Sequence, residues 1–422
     1  MRLLDAVLRQ GLPLEAALPG ATAPLDRADD RAFAHAIAAE ALRHLPDLDA
    51  LIDAQTPRNL PADAKARFAL RVALVQALAL GTPARAAIAT VLPLMDGGPR
   101  RLVHGVFGAV MRGGAVLPDP PQLPRAVAKR WRKAWGQQGV DAARAAIASP
   151  PPVDLSLRDP GATAQWTERL GGTSLAPGHV RLPRGSAVAD LPGFADGDWW
   201  VQDIAASLPA RLLGAGKGRK ALDLCAAPGG KTMQLAAAGW AVTATDLSEP
   251  RLERLRENLA RTRLEAEVRQ ADVVVETPDP VFDAVLLDAP CSATGIFRRH
   301  PDVLHRVTER SIAALAEQQA VMLRRAAGWV RPGGTLVYAV CSMEPQEGEQ
   351  VARDFAAEQG FSVDPIRAGE LPEGVAPGSK GYVRLAPGTL AEHGGADGFF
   401  IVRFRRDGSW EHRPADAPER GV

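Results

Sequence analysis

Ala221-Leu222-Asp223-Leu224-Cys225-Ala226-Ala227-Pro228-Gly229-Gly230-Lys231-Thr232 decides how the second half of this chain folds. A short apolar run with the look of a strand passes into small residues and two adjacent glycines, and a helical pattern starts at about Met233. Small residues let the backbone approach a ligand closely at a helix N-terminus, where unpaired N–H groups point outward. Two glycine motifs are excluded by spacing. A phosphate-binding P-loop requires a glycine five residues before Gly230, where Cys225 stands, and the dinucleotide fingerprint requires three glycines where only Gly229 and Gly230 occur. The turn therefore suits a ligand without a pyrophosphate.

Outward from this turn the pattern strand, turn, helix repeats. Strands are predicted at 220–224, 241–245, 266–270, 282–287 and 334–340, with helices at 251–261 and 311–330. Such alternation builds an α/β domain, Rossmann-like, around a mostly parallel sheet covered on both faces. A late run, Gly398-Phe-Phe-Ile-Val-Arg-Phe404, is expected as an antiparallel edge strand. Asp246 ends the second strand, sixteen residues after Gly230, where a carboxylate can accept ribose hydroxyls; Asp272 ends the third and can meet an adenine amino group. Either aspartate alone reads as a cap or turn residue. Both at successive strand ends favour a nucleoside ligand, and S-adenosylmethionine fits.

Two cysteines complete the pattern. Cys291 follows the fourth strand in Leu287-Asp-Ala-Pro-Cys-Ser-Ala-Thr-Gly295, and Cys341 follows the fifth in Leu336-Val-Tyr-Ala-Val-Cys-Ser-Met343. A lone cysteine is usually a small buried hydrophobe, and Cys225 reads that way. Two at neighbouring strand ends beside a cofactor turn point to nucleophilic chemistry. Cytosine does not accept a methyl group on C5 until a nucleophile has added to C6, so the pair points to RNA cytosine-C5 methylation. Asp288 would stabilise N3, and Lys231 would face the base or lower a thiolate pKa.

The first half differs. Residues 1–118 are rich in Ala, Leu and Arg, and helical spacing puts Leu3, Val7 and Leu8 on one face. The same holds for Phe33, Ile37, Ala38 and Ala41, for Phe68, Val72, Val75 and Leu78, and for Leu102, Val106, Phe107 and Val110. An all-helical bundle is expected. A proline-rich linker, Pro118-Asp-Pro-Pro121, leads to Arg125-Ala-Val-Ala-Lys-Arg-Trp-Arg-Lys133, which carries five positive charges and no negative one. With Trp131 and Trp135 interleaved, Arg125, Lys129, Arg130, Arg132 and Lys133 could track a phosphate backbone while the rings stack on bases. An exposed cationic helix with its tryptophans turned inward reads equally well. Short β-like runs from Val153 to Asp198 suggest a small α/β insert, so 122–204 is taken as a linking and RNA-binding region, 205–408 as the sheet domain and 409–422 as a tail.

Totals bound the rest. The 422 residues carry a net charge of +1, which excludes a uniformly basic nucleic-acid coat, and the apolar fraction of 46% is that of a globular protein. Three cysteines suggest reduced thiols in a cytoplasmic protein. The opening Met-Arg-Leu-Leu-Asp-Ala-Val-Leu-Arg reads as an amphipathic helix, not a signal peptide, and no membrane partner or metal is expected. A monomer is favoured.

Asp223-Leu-Cys-Ala-Ala-Pro-Gly-Gly-Lys-Thr232, Asp288-Ala-Pro-Cys-Ser-Ala-Thr-Gly295 with Arg298-Arg-His-Pro-Asp302, and Gly333-Gly-Thr-Leu-Val-Tyr338 through Cys341-Ser342 closely resemble the RsmB (Sun/Fmu) family of ribosomal RNA cytosine-C5 methyltransferases. Trp200-Val-Gln-Asp203 resembles it too, and the helical start is similar to a NusB-type RNA-binding domain. The resemblance implies a class I methyltransferase fold with a mostly parallel seven-stranded sheet. It implies Cys341 as nucleophile and Cys291 as the thiol assisting release. It also implies a cofactor pocket lined by Cys225, Ala226, Ala227, Pro228, Gly229, Gly230, Lys231, Asp246, Asp272 and Asp288, and small-subunit ribosomal RNA as partner. Arg298 and Arg299 are the better candidates for further RNA contact, since they follow Cys291 closely. Two positions depart from the family: Val340 stands where Thr is usual, and His104 where Asn is usual. A DNA cytosine methyltransferase would take its nucleophile from Pro290-Cys291 and leave the second thiol and the helical half unused. A non-catalytic RNA-binding or assembly factor would leave both thiols unexplained, and a small-molecule methyltransferase the N-terminal half.

Overall fold

The structure, a computed structural model, describes residues 1–148, 150–277, 281–358 and 360–408; the expected tail at 409–422 lies outside them. The described residues form two compact units. One comprises 1–151, 292–311 and 386–397, and the other 152–291, 312–385 and the chain from 398.

The first unit is helical. Its helix Lys65–Leu78 is buried on every side from Ala66 to Gln76, so two arginines lie inside and must be neutralised there. Arg71 grips Asp49 through two bonds of 2.8 Å, and Arg67 pairs with Asp49 and Asp53. Leu4, Leu42, Leu48, Ile52, Leu70, Leu74 and Val103 fill the surrounding core. Most of the expected faces are inward, but Phe33 is 50% exposed; the buried stripe of its helix, Ala28–Arg43, runs through Ala38, Ala41 and Leu42 instead. The basic run opens the helical stretch Arg125–Ile147, which breaks at Gly136, where φ is +70°. Residues 292–311 belong to this unit: His305 Nε2 lies 2.7 Å from the Leu42 carbonyl, and Phe297 meets Trp131 edge-on at 5.4 Å.

The second unit holds two sheets. In the smaller, β1 (Val153–Leu157) lies between β2 (His179–Leu182) and β3 (Trp199–Val201), all antiparallel. Asp154 is buried at its centre, gripped by Arg181 at 2.6 and 2.8 Å and by the Ile204 amide at 2.9 Å; burial opposes its charge, but Arg181 and His179 hold its carboxyl far below the usual carboxylate range. The larger sheet contains β4 (Lys220–Leu224), β5 (Ala241–Asp246), β6 (Glu267–Gln270), β7 (Phe282–Asp288), β8 (Val330–Val340), β9 (Phe361–Val363), β10 (Val383–Leu385) and β11 (Phe399–Arg406). Seven strands run in the order β10-β11-β8-β7-β4-β5-β6, and β9 adds an eighth beside β11. Contacts from β8 to β6 are parallel, and those of β11 are antiparallel. The late strand is therefore not the edge: β11 lies between β10 and β8, which explains its apolar run Phe399-Phe400-Ile401-Val402. Strand order reverses between β4 and β7, and an open α/β sheet offers its crevice at such a reversal.

Candidate active site

The cofactor turn leaves β4 with two left-handed positions, Cys225 at φ +60° and Gly229 at φ +105°. The second needs glycine for space as well, since a Cβ there would lie 2.9 Å from Leu255 Cγ. The helix Gly230–Ala237 follows directly, so its unpaired N–H groups face the ligand edge of the sheet. Trp200-Val-Gln-Asp203 braces this helix: Trp200 Nε1 donates to Gln202 Oε1 at 2.9 Å, and Gln202 Nε2 donates to Gln234 Oε1 at 2.8 Å.

The acidic strand ends behave differently from one another. Asp246 is only 3% exposed. It accepts the amides of Ala227 at 3.2 Å and Ser248 at 3.0 Å, and Arg251 Nη1 lies 3.0 Å from its Oδ2. Here it clamps the cofactor turn, whose Ala227 carbonyl also accepts Arg251. Asp272 is half-buried beside it and accepts the Val274 amide at 2.8 Å. At the strand-order reversal, Lys231 Nζ donates to Asp288 Oδ2 at 2.6 Å. Burial opposes the lysine's charge, but Asp288 outweighs it and the Lys231 pKa is raised. Asp223, beneath them, is fully buried, and its pKa is pushed up to about 7 by burial despite a 2.6 Å bond from Thr232 Oγ1.

Cys291 and Cys341 meet. Their sulfurs stand 3.4 Å apart, although fifty residues separate them in sequence. β7 and β8 run side by side in register, Asp288 opposite Ala339, so the residues leaving both strands emerge together. Burial pushes the Cys225 thiol far up, which removes it from nucleophilic duty. A strand-end pair of touching thiols, a lysine–carboxylate pair and a glycine turn suit transfer of an alkyl group onto a ring that must first be attacked by sulfur.

Residues 210–405 match the family model described as 16S rRNA methyltransferase RsmB/F, and residues 1–112 match that of the NusB family. Ribosomal RNA small subunit methyltransferase B of Klebsiella pneumoniae is 34% identical over 427 residues, 95% of each chain. The Xanthomonas campestris protein of the same name is 35% identical over 84% of this chain and 86% of its own. The chain belongs to the ribosomal RNA small subunit methyltransferase B family. That family is S-adenosylmethionine-dependent. Two solved structures share the fold: PH0851, at TM-score 0.74 and 21% identity over 96% of this chain and 98% of that one, and a methyltransferase homolog from Pyrococcus horikoshii, at 0.55 and 23% over 71% and 98%.

One expectation for this family member needs correction, and one pair of open alternatives is decided. Arg298 is 4% exposed, inside the helical unit. Its guanidinium donates to the Gly394 carbonyl and stands 3.8 Å from Asp397, which Arg299 also holds at 3.1 Å. A guanidinium so enclosed has no face for a phosphate. Trp131 is likewise buried, so it is not a stacking surface, whereas Arg125, Lys129, Arg132 and Lys133 are exposed and Arg130 is half-buried. Val340 is fully buried and His104 is exposed. Residues that motif reading passed over are Asp223, Arg251, Gln319, Ser342, Glu347 and Arg384, which support the turn and the thiol loops from behind. No sequence signal set them apart: Glu347, for one, stands among Glu344, Gln346, Glu349 and Gln350.

Proposed function

We propose that this chain methylates C5 of a cytosine in small-subunit ribosomal RNA, in the cytoplasm, through a covalent adduct with Cys341. The observation that carries the reading is the 3.4 Å contact between the Cys291 and Cys341 sulfurs. S-adenosylmethionine would be held by the turn Cys225–Lys231 together with Asp246 and Asp272, and would supply the electrophilic methyl group. Its fit is favoured by the left-handed Gly229, a close-approach position followed at once by a helix N-terminus.

The chain's own residues divide the work. Cys341 adds as thiolate to C6, forming the carbon–sulfur bond and moving electron density to C5 and N3. The Lys231–Asp288 pair, in which Lys231 Nζ donates to Asp288 Oδ2 at 2.6 Å, neutralises the charge that develops at N3. Once C5 carries the methyl group and its proton has passed to a base, the C5–C6 double bond reforms and the electron pair of the carbon–sulfur bond leaves on Cys341. Cys291 is the neighbouring sulfur and assists that departure. Phosphates of the RNA are met by Arg125, Lys129, Arg130, Arg132 and Lys133, a half-exposed to exposed run without a negative charge.

The test is incubation of wild type, Cys341→Ala and Cys291→Ala with ribosomal RNA, DNA and labelled S-adenosylmethionine, resolved on a denaturing gel. Wild type labels RNA only, Cys341→Ala labels nothing, and Cys291→Ala retains RNA covalently. Methylation by Cys341→Ala refutes the nucleophile assignment; labelled DNA refutes the substrate.

A further inference from the structure

The backbone pairing that brings the two cysteines together stops short of them. The final pair in the register of β7 and β8 is Asp288 with Ala339, followed by one more bond from the Ala289 amide to the Ala339 carbonyl at 3.0 Å. Beyond that point the two loops are tied by side chains. Gln319, on the helix Glu309–Trp329, places Nε2 2.8 Å from the Pro290 carbonyl, next to Cys291, and 3.0 Å from Glu347 Oε1. Glu347 Oε2 accepts Ser342 Oγ, next to Cys341, at 2.5 Å. The chain of contacts therefore runs from the residue beside one thiol to the residue beside the other.

Several features show that this link is built rather than incidental. Gln319, Ser342 and Glu347 are all fully buried. A carboxylate in such a place is costly, and an apolar side chain would serve packing alone better. The backbone of Glu347 is held as well, since Tyr338 donates its hydroxyl to the Glu347 carbonyl at 2.5 Å. Ser342 is held from its other side by Arg384, which donates to its carbonyl and also grips Glu349 at 2.6 and 2.9 Å. Gly348 is pressed into the same corner: a Cβ there would lie 2.6 Å from Arg384 Nη2. The groups around Glu347 allow little movement of either loop.

We propose that Gln319 and Glu347 are positioning residues that hold Cys291 and Cys341 in contact and so govern release of RNA from the covalent adduct. The part concerning release rests on the two-thiol reading above; the part concerning distance does not. Neither residue touches the reacting base. If the link is cut, Cys341 still adds to C6, but Cys291 drifts from the position from which it assists departure. The variant enzyme then stalls as adduct although both cysteines are present. A merely structural role would lower the amount of folded protein and with it adduct and product together.

Glu347→Gln turns one acceptor into a donor facing Ser342 or Gln319, with little change of volume, and Gln319→Ala removes the bridging amide without touching the carboxylate. Two readouts are taken on each full-length variant. In the first, diamide oxidises the two thiols to a disulfide and is itself reduced to the hydrazine; closure is followed by loss of two maleimide-reactive thiols, counted after quenching and unfolding so that Cys225 is left as internal count. Closure is expected about tenfold slower than in wild type, which corresponds to about 1.4 kcal/mol, the scale of one hydrogen bond. In the second, a denaturing gel with RNA and S-adenosylmethionine is expected to show adduct in the variants and none in wild type, with the cofactor KM within about twofold. Should Glu347→Gln not fold, Gln319→Ala decides. Closure at the wild-type rate overturns the proposal, and so does slowed closure without adduct. If Cys341→Ala still methylates RNA, the two-thiol reading has failed, the release part of this proposal falls with it, and the closure rate alone decides the positioning part.

Discussion

Asp223 should make the sheet unit less stable as pH rises through neutrality, and Asp223→Asn should remove that loss. The carboxyl is fully buried beside the cofactor turn; its Oδ2 accepts Thr232 Oγ1 at 2.6 Å, and its Oδ1 has no partner among the described residues. Burial raises its pKa from 3.8 to about 7, with the nearby carboxylates of Asp288 and Asp246 adding to the effect and Lys231 opposing it. Between those two values the folded protein keeps a proton that the unfolded chain has released. Stability from this group is therefore full below pH 3.8 and falls as pH rises, levelling off above about 7. A shift of that size amounts to about 4 kcal/mol in all, of which about 2 to 3 kcal/mol falls between about pH 5 and pH 8. Asparagine keeps the acceptor for Thr232 and cannot ionise. Its amide is left without a partner at a cost of about 1 to 3 kcal/mol, but that cost is the same at every pH. The informative quantity is thus the change with pH of the difference between wild type and variant. Because the chain has two units, the assay must report the sheet itself, and hydrogen exchange of peptides covering β4 and β7 in graded urea does so. Wild type should lose about 2 to 3 kcal/mol relative to Asp223→Asn from about pH 5 to pH 8. A difference flat to within about 0.5 kcal/mol would refute the picture of a buried acid holding its proton.

Two further outcomes follow from residues whose roles the structure separates. Arg298→Ala should destabilise the helical unit by about 3 kcal/mol or more, because it strips a buried charge from Asp397 and a donor from the Gly394 carbonyl. In a filter-binding titration its salt slope should equal that of wild type; a flatter slope would return Arg298 to the RNA interface. Lys129→Ala with Lys133→Ala should do the reverse, leaving the melting temperature within about a degree and reducing the slope of log K against log salt by about 0.7 for each phosphate that is no longer neutralised. An unchanged slope would remove this run from the interface.

The alternating pattern of the sheet unit is legible in the sequence because interior parallel strands are continuous apolar runs between glycine or aspartate turns. The predicted strand at 220–224 coincides with β4, and that at 282–287 falls one residue short of β7. Edge position is not legible. As the last strand-like run of the chain β11 is expected at the margin, but β10, three residues long, takes that place. The same limit applies to single side chains. Phe33 satisfies the helical spacing and is exposed; Trp131 has the setting of a stacking ring and packs on Phe297; Arg298 has the setting of a phosphate ligand and is enclosed by Asp397 and Gly394. Periodicity states which residues share a face but not what that face meets.

The sequence by itself determined the chemistry: a turn that admits a ligand without a pyrophosphate, acidic residues at successive strand ends, and two thiols in turns that follow strands. These are local properties, set by residues within a few positions of one another. Tertiary structure alone decided that the two sulfurs stand 3.4 Å apart, that Lys231 reaches Asp288, and that Gln319 and Glu347 tie the thiol loops together. Each of those contacts joins distant parts of the chain, and it exists because β7 pairs with β4 on one side and β8 on the other, in unbroken register with β8 from Ala284 to Asp288. Register is fixed by burial of whole strands against one another, a balance summed over the sheet that no short stretch of sequence contains.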